Sequence, residues 1–221
     1  MNTLDQVNHR VIQCRKCSRL ALYIRDVAKK KVKRFNNQKY WGKPVPSFGD
    51  PNAELLLVGL APAAHGGNRT GRMFTGDSSG DWVARVLYEN GFATKPTSER
   101  LGDGYNLINT YITATIRCAP PQNKPFIQEI DNCSVYLTKE LSLLKKTKVI
   151  ICLGRIAFDS CCKILNIKDR RFEHGKVLQY EGFNIISTYH PSRQNTQTGR
   201  LTWQQWSNIF SMAQKILVEN R

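Results

Sequence analysis

Residues 54–77 read ELLLVGLAPAAHGGNRTGRMFTGD. The opening ELLLVG is a short, nearly continuous apolar run, as expected of a strand whose two faces are both covered in a parallel sheet. The residues after it are too rich in glycine and polar groups for a core element, so the strand ends in a loop. The same form recurs at 148–154 (KVIICLG) and 184–188 (NIIST), and 107–113 supplies a further strand. Helical patterns separate them at 81–90, 127–144, 156–165 and 203–219. This alternation predicts an α/β fold, a three-layer α/β/α sandwich around a central, mainly parallel four-stranded sheet, with 1–221 as one domain. Ligands bind such sheets beyond the carboxyl ends of the strands. The loop at 59–77 therefore becomes the first candidate site.

At 221 residues and 41% hydrophobic composition the chain can build one sizeable core. Its 33 Lys and Arg against 17 Asp and Glu give a formal net charge of +16, which favours polyanions and makes nucleic acid the natural partner. A soluble basic surface would look the same by charge alone. No apolar run approaches the roughly 20 residues of a membrane span and no N-terminal apolar stretch follows a charged start, so a cytoplasmic protein without a membrane partner is expected. Seven cysteines without a signal peptide suit metal ligation and buried thiols better than disulfides. The stretch through Cys14, Cys17 and Leu22 reads as one short helix. A basic segment comes next, with Lys29, Lys30, Lys31, Lys33 and Arg34, a pattern shared by solvated faces and DNA contacts.

Within the first loop, glycines let the backbone approach a ligand and present its N–H groups, while Phe74 offers a flat face for a planar ring. Asp77, followed by Ser78 and Ser79, is placed to cap the next helix, which is the plain structural alternative to a catalytic role. A second loop, YHPSRQNT at 189–196, also falls at a strand's carboxyl end, so both loops can share one crevice. His190, held by Pro191 and flanked by Ser192, Arg193 and Gln194, can meet an anion and a DNA backbone.

GLAPAAHGGNRTGRMFTGD and HPSRQN, in this order and more than a hundred residues apart, resemble the two signature motifs of uracil-DNA glycosylases. The likeness is strongest to the family-five, UDGb-type enzymes and spans Cys14 to about Thr202. It implies an α/β sandwich that removes uracil, and other deaminated bases such as hypoxanthine, from double-stranded DNA. Better-known branches carry an Asp or Asn soon after the first strand; here 59–63 reads GLAPA, with no side chain able to polarise water. By resemblance that duty passes to Asp77, with a contribution from Asn123. Phe74 would stack on the extruded base. Backbone groups of Gly59, Leu60, Ala61 and Ala63, with Asn123 and His190, would bind the base, His190 stabilising it as it departs. Arg193 and Gln194 would press into the duplex, with Arg69 as a further DNA contact. Neither motif contains a lysine, and a lyase would need an amine to form a Schiff base. A monomeric enzyme that hydrolyses the bond without nicking the strand is expected. The alternative from another class is a non-catalytic damaged-DNA binding protein with a structural zinc site.

Cys14 and Cys17 form a C-x-x-C pair, and Cys118 and Cys133 flank the APPQNKP segment. Four thiolates from two chain regions satisfy a tetrahedral zinc or a cubane cluster equally, and spacing leaves both open. The family resemblance implies a 4Fe–4S cluster on these four residues. Cys152, Cys161 and Cys162 fall in apolar surroundings and read as core thiols.

Overall fold

The computed structural model describes residues 1–168 and 170–219. Its sheet has six strands in the order β1-β3-β2-β4-β6-β5. They are β1 (Phe48–Gly49), β2 (Leu55–Gly59), β3 (Thr110–Ala114), β4 (Val149–Leu153), β5 (Val177–Tyr180) and β6 (Phe183–Thr188). The four inner strands are parallel, with Leu55 opposite both Thr110 and Val149, and Cys152 opposite Ser187. The expected four-stranded parallel sheet is thus the centre of a larger mixed one. Short antiparallel strands extend it at both edges, β1 against β3 and β5 against β6.

The apolar run LLLVG is buried at every position of β2, and β3 and β4 are buried throughout as well. Alternate residues serve opposite faces, as a pleated strand requires. Leu55, Leu57, Ile112, Ile151 and Ile186 pack with α4 (Ser78–Glu89) and α8 (Trp203–Glu219) through Val83, Leu87, Trp206 and Phe210. On the other face Leu56, Val58, Ile150, Cys152 and Ile185 meet α5 (Ile127–Leu143) and α6 (Arg155–Ile164) through Leu137, Phe158, Cys161 and Cys162. Full burial of one such aliphatic side chain is worth about 1.5–3 kcal/mol, more than the roughly 1–2 kcal/mol of backbone entropy lost per ordered residue. The inner strands are therefore committed to the centre of the sheet. Cys152, Cys161 and Cys162 are the core thiols that the sequence indicated.

The N-terminal segment is two helices, where one was expected: α1 (Leu4–Ile12) and α2 (Ser18–Lys30). The break at 13–17 holds both cysteines of the C-x-x-C pair. Val7 and Val11 of α1 pack on Tyr136 of α5 beside Cys14 and Cys133. Two very short helices, α3 (Gly67–Thr70) and α7 (Arg193–Gln197), lie within the two loops that carry the motifs.

Candidate active site

The loop after β2 folds back over its own strand. A Cβ on Gly59 would lie 2.7 Å from the Phe74 ring, so only glycine lets that ring settle on the strand's end. Phe74 itself has φ of 47°, a conformation costly for a bulky residue and held here by its surroundings. Gly80, in the first turn of α4, packs against the Phe74 backbone, where a Cβ would fall 2.6 Å from its carbonyl oxygen.

Asp77 is the N-cap of α4, and its Oδ1 accepts hydrogen bonds from the N–H groups of Ser79 and Gly80 at 3.0 Å. The other oxygen occupies the space over Gly66, 1.7 Å from where a Cβ would stand. Burial pushes the Asp77 carboxyl above the ordinary value, and the two backbone donors pull part of the way back. The capping reading is thus correct for one oxygen and leaves the second unexplained.

The loop after β6 comes to meet this one. His190 and Phe74 stand with ring centroids 6.1 Å apart and planes inclined by 33°. Ser79 Oγ donates to the Pro191 carbonyl at 3.0 Å, and Arg193 Nε donates to Ser78 Oγ at 3.2 Å, which joins the second loop to the first turn of α4. Asn195 Nδ2 donates to the His190 carbonyl at 2.8 Å, fixing the turn from below. His190 is half-buried, and desolvation by the surrounding protein lowers its imidazole to about 4. It is therefore neutral at physiological pH.

Phe74 and His190 are brought together, and Asp77 heads the helix that follows the same loop; Gly59 is buried against the Phe74 ring, and Leu60, Ala61 and Ala63 are partly open. Arg193 and Gln194 are exposed at the start of α7. Asn123 is exposed on a 3-10 turn, Pro121–Asn123, where both it and Gln122 have left-handed φ. Arg69 departs from expectation. It is 8% exposed, and its guanidinium donates to the His65 carbonyl, Gln38 Oε1 and the Gly76 carbonyl at 2.7, 2.6 and 2.8 Å. With three of its five N–H donors bound inside the protein, it braces the loop. Sequence reasoning passed over His65, whose Nδ1 lies 3.1 Å from the Tyr40 hydroxyl, and whose imidazole is lowered by burial and by Arg69. The only local signal was a histidine next to Gly66.

Cys14, Cys17, Cys118 and Cys133 line one cavity together with Leu20, Pro44, Ile116 and Arg117. Burial raises the Cys118 and Cys133 thiols, and the other cysteines of the set add to the rise. Among the described residues, no three His, Cys, Asp or Glu side chains converge as a site for a single metal ion.

The sequence profile of the uracil DNA glycosylase superfamily matches residues 46–212, which include both loops and all six strands. The chain belongs to the uracil DNA glycosylase superfamily. Among its relatives, the Type-5 uracil-DNA glycosylase of Pyrobaculum aerophilum is 41% identical over 209 residues, covering 95% of this chain and 91% of that protein. The Type-5 uracil-DNA glycosylase of Thermus thermophilus is 43% identical over 206 residues, 92% of this chain and 93% of that protein. A Type-4 uracil-DNA glycosylase from Archaeoglobus fulgidus is more distant, 28% identical over 202 residues. Within this superfamily member, Cys118 and Cys133 fall inside the matched span and Cys14 and Cys17 precede it.

Proposed function

We propose that the chain hydrolyses the N-glycosidic bond of uracil, and of other deaminated bases such as hypoxanthine, in double-stranded DNA, leaving an abasic site in an unbroken strand. One observation carries the reading: Phe74 and His190, from loops at the carboxyl ends of two parallel strands, stand with ring centroids 6.1 Å apart, and Asp77 caps the helix that follows the first loop. The Type-5 names of its relatives point the same way.

The reaction needs the base out of the stack, a stabilised departing anion, and water near a sugar with oxocarbenium character. Phe74 offers the extruded base a ring to stack on. A neutral His190 donates a hydrogen bond to the base's oxygen as negative charge develops there, and the backbone at 59–63 lies within the same crevice. Asp77 keeps Oδ1 on its helix, and Oδ2, which lies over Gly66, would position water or stabilise the cationic sugar. Asn123, on its exposed turn, is a further candidate for holding water or the base. Arg193 and Gln194 fill the space left in the duplex. Neither loop contains a lysine to form a Schiff base, which supports hydrolysis without lyase chemistry. Both loops come from one chain, so a single copy holds a complete site and a monomer suffices. Among the described residues no helix is long and apolar enough to cross a membrane, and we place the enzyme with the chromosome in the cytoplasm.

Cys14, Cys17, Cys118 and Cys133 are the proposed holders of a 4Fe–4S cluster. Their shared cavity is the observation that fits, because four thiolates around one space can ligate such a cluster, and the likeness to family-five enzymes favours it over zinc. When bound, the cluster supplies covalent ties between the N-terminal helices and the core.

The deciding experiment is incubation with a uracil-containing duplex, with and without subsequent alkali. Strand breaks only after alkali are expected. Breaks without alkali would indicate a lyase, and intact strands throughout would leave a damaged-DNA binding protein.

A further inference from the structure

The basic segment between α2 and β1 has no part in the crevice formed by the two loops. Lys29 and Lys30 end α2, and Lys33 and Arg34 open a single 3-10 turn, Lys33–Phe35. Lys30 pairs with Asp26, and Lys31 Nζ donates to the Asn36 carbonyl. Lys29, Lys33, Arg34 and Lys39 are exposed, and among the described residues none has a carboxylate within salt-bridge distance.

The segment is fastened to the first active-site loop. Trp41 and Gly42 donate their N–H groups to the carbonyls of Arg69 and Asn68 at 2.9 and 3.0 Å. Asn68 Nδ2 donates to the Ile24 carbonyl at 3.2 Å, Arg69 to Gln38, and Tyr40 meets His65. The Phe35 ring lies 3.9 Å from the Arg69 guanidinium and 5.1 Å from that of Arg34. Arg34 is also near enough to Asp81, in the first turn of α4, to act on its carboxyl. The buried arginine that was expected to meet DNA therefore anchors a turn that carries free positive charge to the edge of the crevice.

We propose that the turn from Lys29 to Lys39 is a second DNA-contact element, which grips duplex phosphates next to the extruded nucleotide. The proposal rests on DNA being the partner, as the proposed function has it. Unpaired cations on a rigid mount suit a phosphate backbone, because binding then releases condensed counterions without first breaking protein ion pairs. Contacts of this kind set register and orientation and carry no sequence preference, as an enzyme that must scan all sequences requires.

The test compares two variants that lose the same charge. One is Lys29→Gln/Lys33→Gln/Arg34→Gln. The other is Lys145→Gln/Lys146→Gln/Lys215→Gln, three exposed lysines outside the segment. Affinity for a lesion-free duplex is measured between about 50 and 200 mM salt, a range in which phosphate contacts dominate the response. Each lost contact should flatten the slope of log K against log salt by about 0.9, so the first variant should lose about 2–3 and the control less than 1. Equal changes in the two variants, or an unchanged slope in the first, would overturn the proposal. A lesion-free probe also separates the two readings: with no base release but the expected slopes, the DNA contact would stand and the glycosylase activity would fall.

Discussion

Asp77 divides its work between two oxygens, and the division can be tested. Oδ1 caps α4 through Ser79 and Gly80, while Oδ2 lies over Gly66. Asp77→Ala should slow single-turnover base release by about a hundredfold or more, the scale of one preorganised electrostatic contact, and also cost about 1 kcal/mol of stability. Asp77→Ser keeps the cap and removes the charge. It should be nearly as stable as the native protein and as slow as the alanine variant; a near-native rate would remove the carboxylate from the chemistry. The native rate should also fall on the acid side at a pH above the ordinary aspartate value of 3.8, and that limb should vanish in Asp77→Ser. For stability the sign is opposite: the folded carboxyl holds its proton after the unfolded one has released it, so this group's contribution is lost as pH rises through its raised pKa. At this scale the motifs put Phe74, Asp77 and His190 in loops beyond the ends of β2 and β6, and that is where the structure has them. The sequence was misleading for Arg69, because nothing local tells an arginine that reaches outward from one whose acceptors are Gln38, His65 and Gly76. The His65–Tyr40 contact spans 25 residues and left no local trace.

Between residues and the whole, α7 is the element whose position matters most to substrate handling. Five residues long, it is capped by Ser192, whose side chain accepts from the Asn195 N–H, and is joined to α4 through Arg193 and Ser78. Arg193 and Gln194 thus stand on a mount fixed relative to Asp77. Extrusion costs a few kcal/mol in a paired duplex and less where pairing is already lost. Arg193→Ala and Gln194→Ala should therefore weaken productive binding to base-paired uracil more than to mismatched or single-stranded uracil; equal losses on all three would mark them as plain phosphate contacts. The inner strands were legible as elements because burial on both faces leaves an uninterrupted apolar run. Neither edge strand offered such a run: β1 has only two residues, and β5 alternates exposed with half-buried positions. Helix α4 begins at Ser78, three residues before the apolar period suggested, since its first turn contains Gly80 pressed on Phe74. The single N-terminal helix was an error of the same origin, because the turn at 13–17 answers to a cavity wall formed by a distant part of the chain.

Over the whole molecule, that cavity joins the first seventeen residues to a segment more than a hundred residues later. Arg117, on its wall, is buried against Glu140 at 2.5 Å, and Thr113 and Ser47 share the same carboxylate. Protein purified without oxygen should be brown and contain iron; Cys→Ser at Cys14, Cys17, Cys118 or Cys133 should bleach it and lower folding yield more than it alters base release in molecules that fold. Stoichiometric zinc with negligible iron would refute the cluster. The cavity also imposes an order in time. Cys14 and Cys17 leave the ribosome long before Cys133, and at about 5–20 residues per second the interval is roughly 6–23 s. Through that interval Val7 and Val11 have no Tyr136 to rest on. Helix α1 is therefore made long before it can be seated, and the nascent chain exposes its apolar face through that interval.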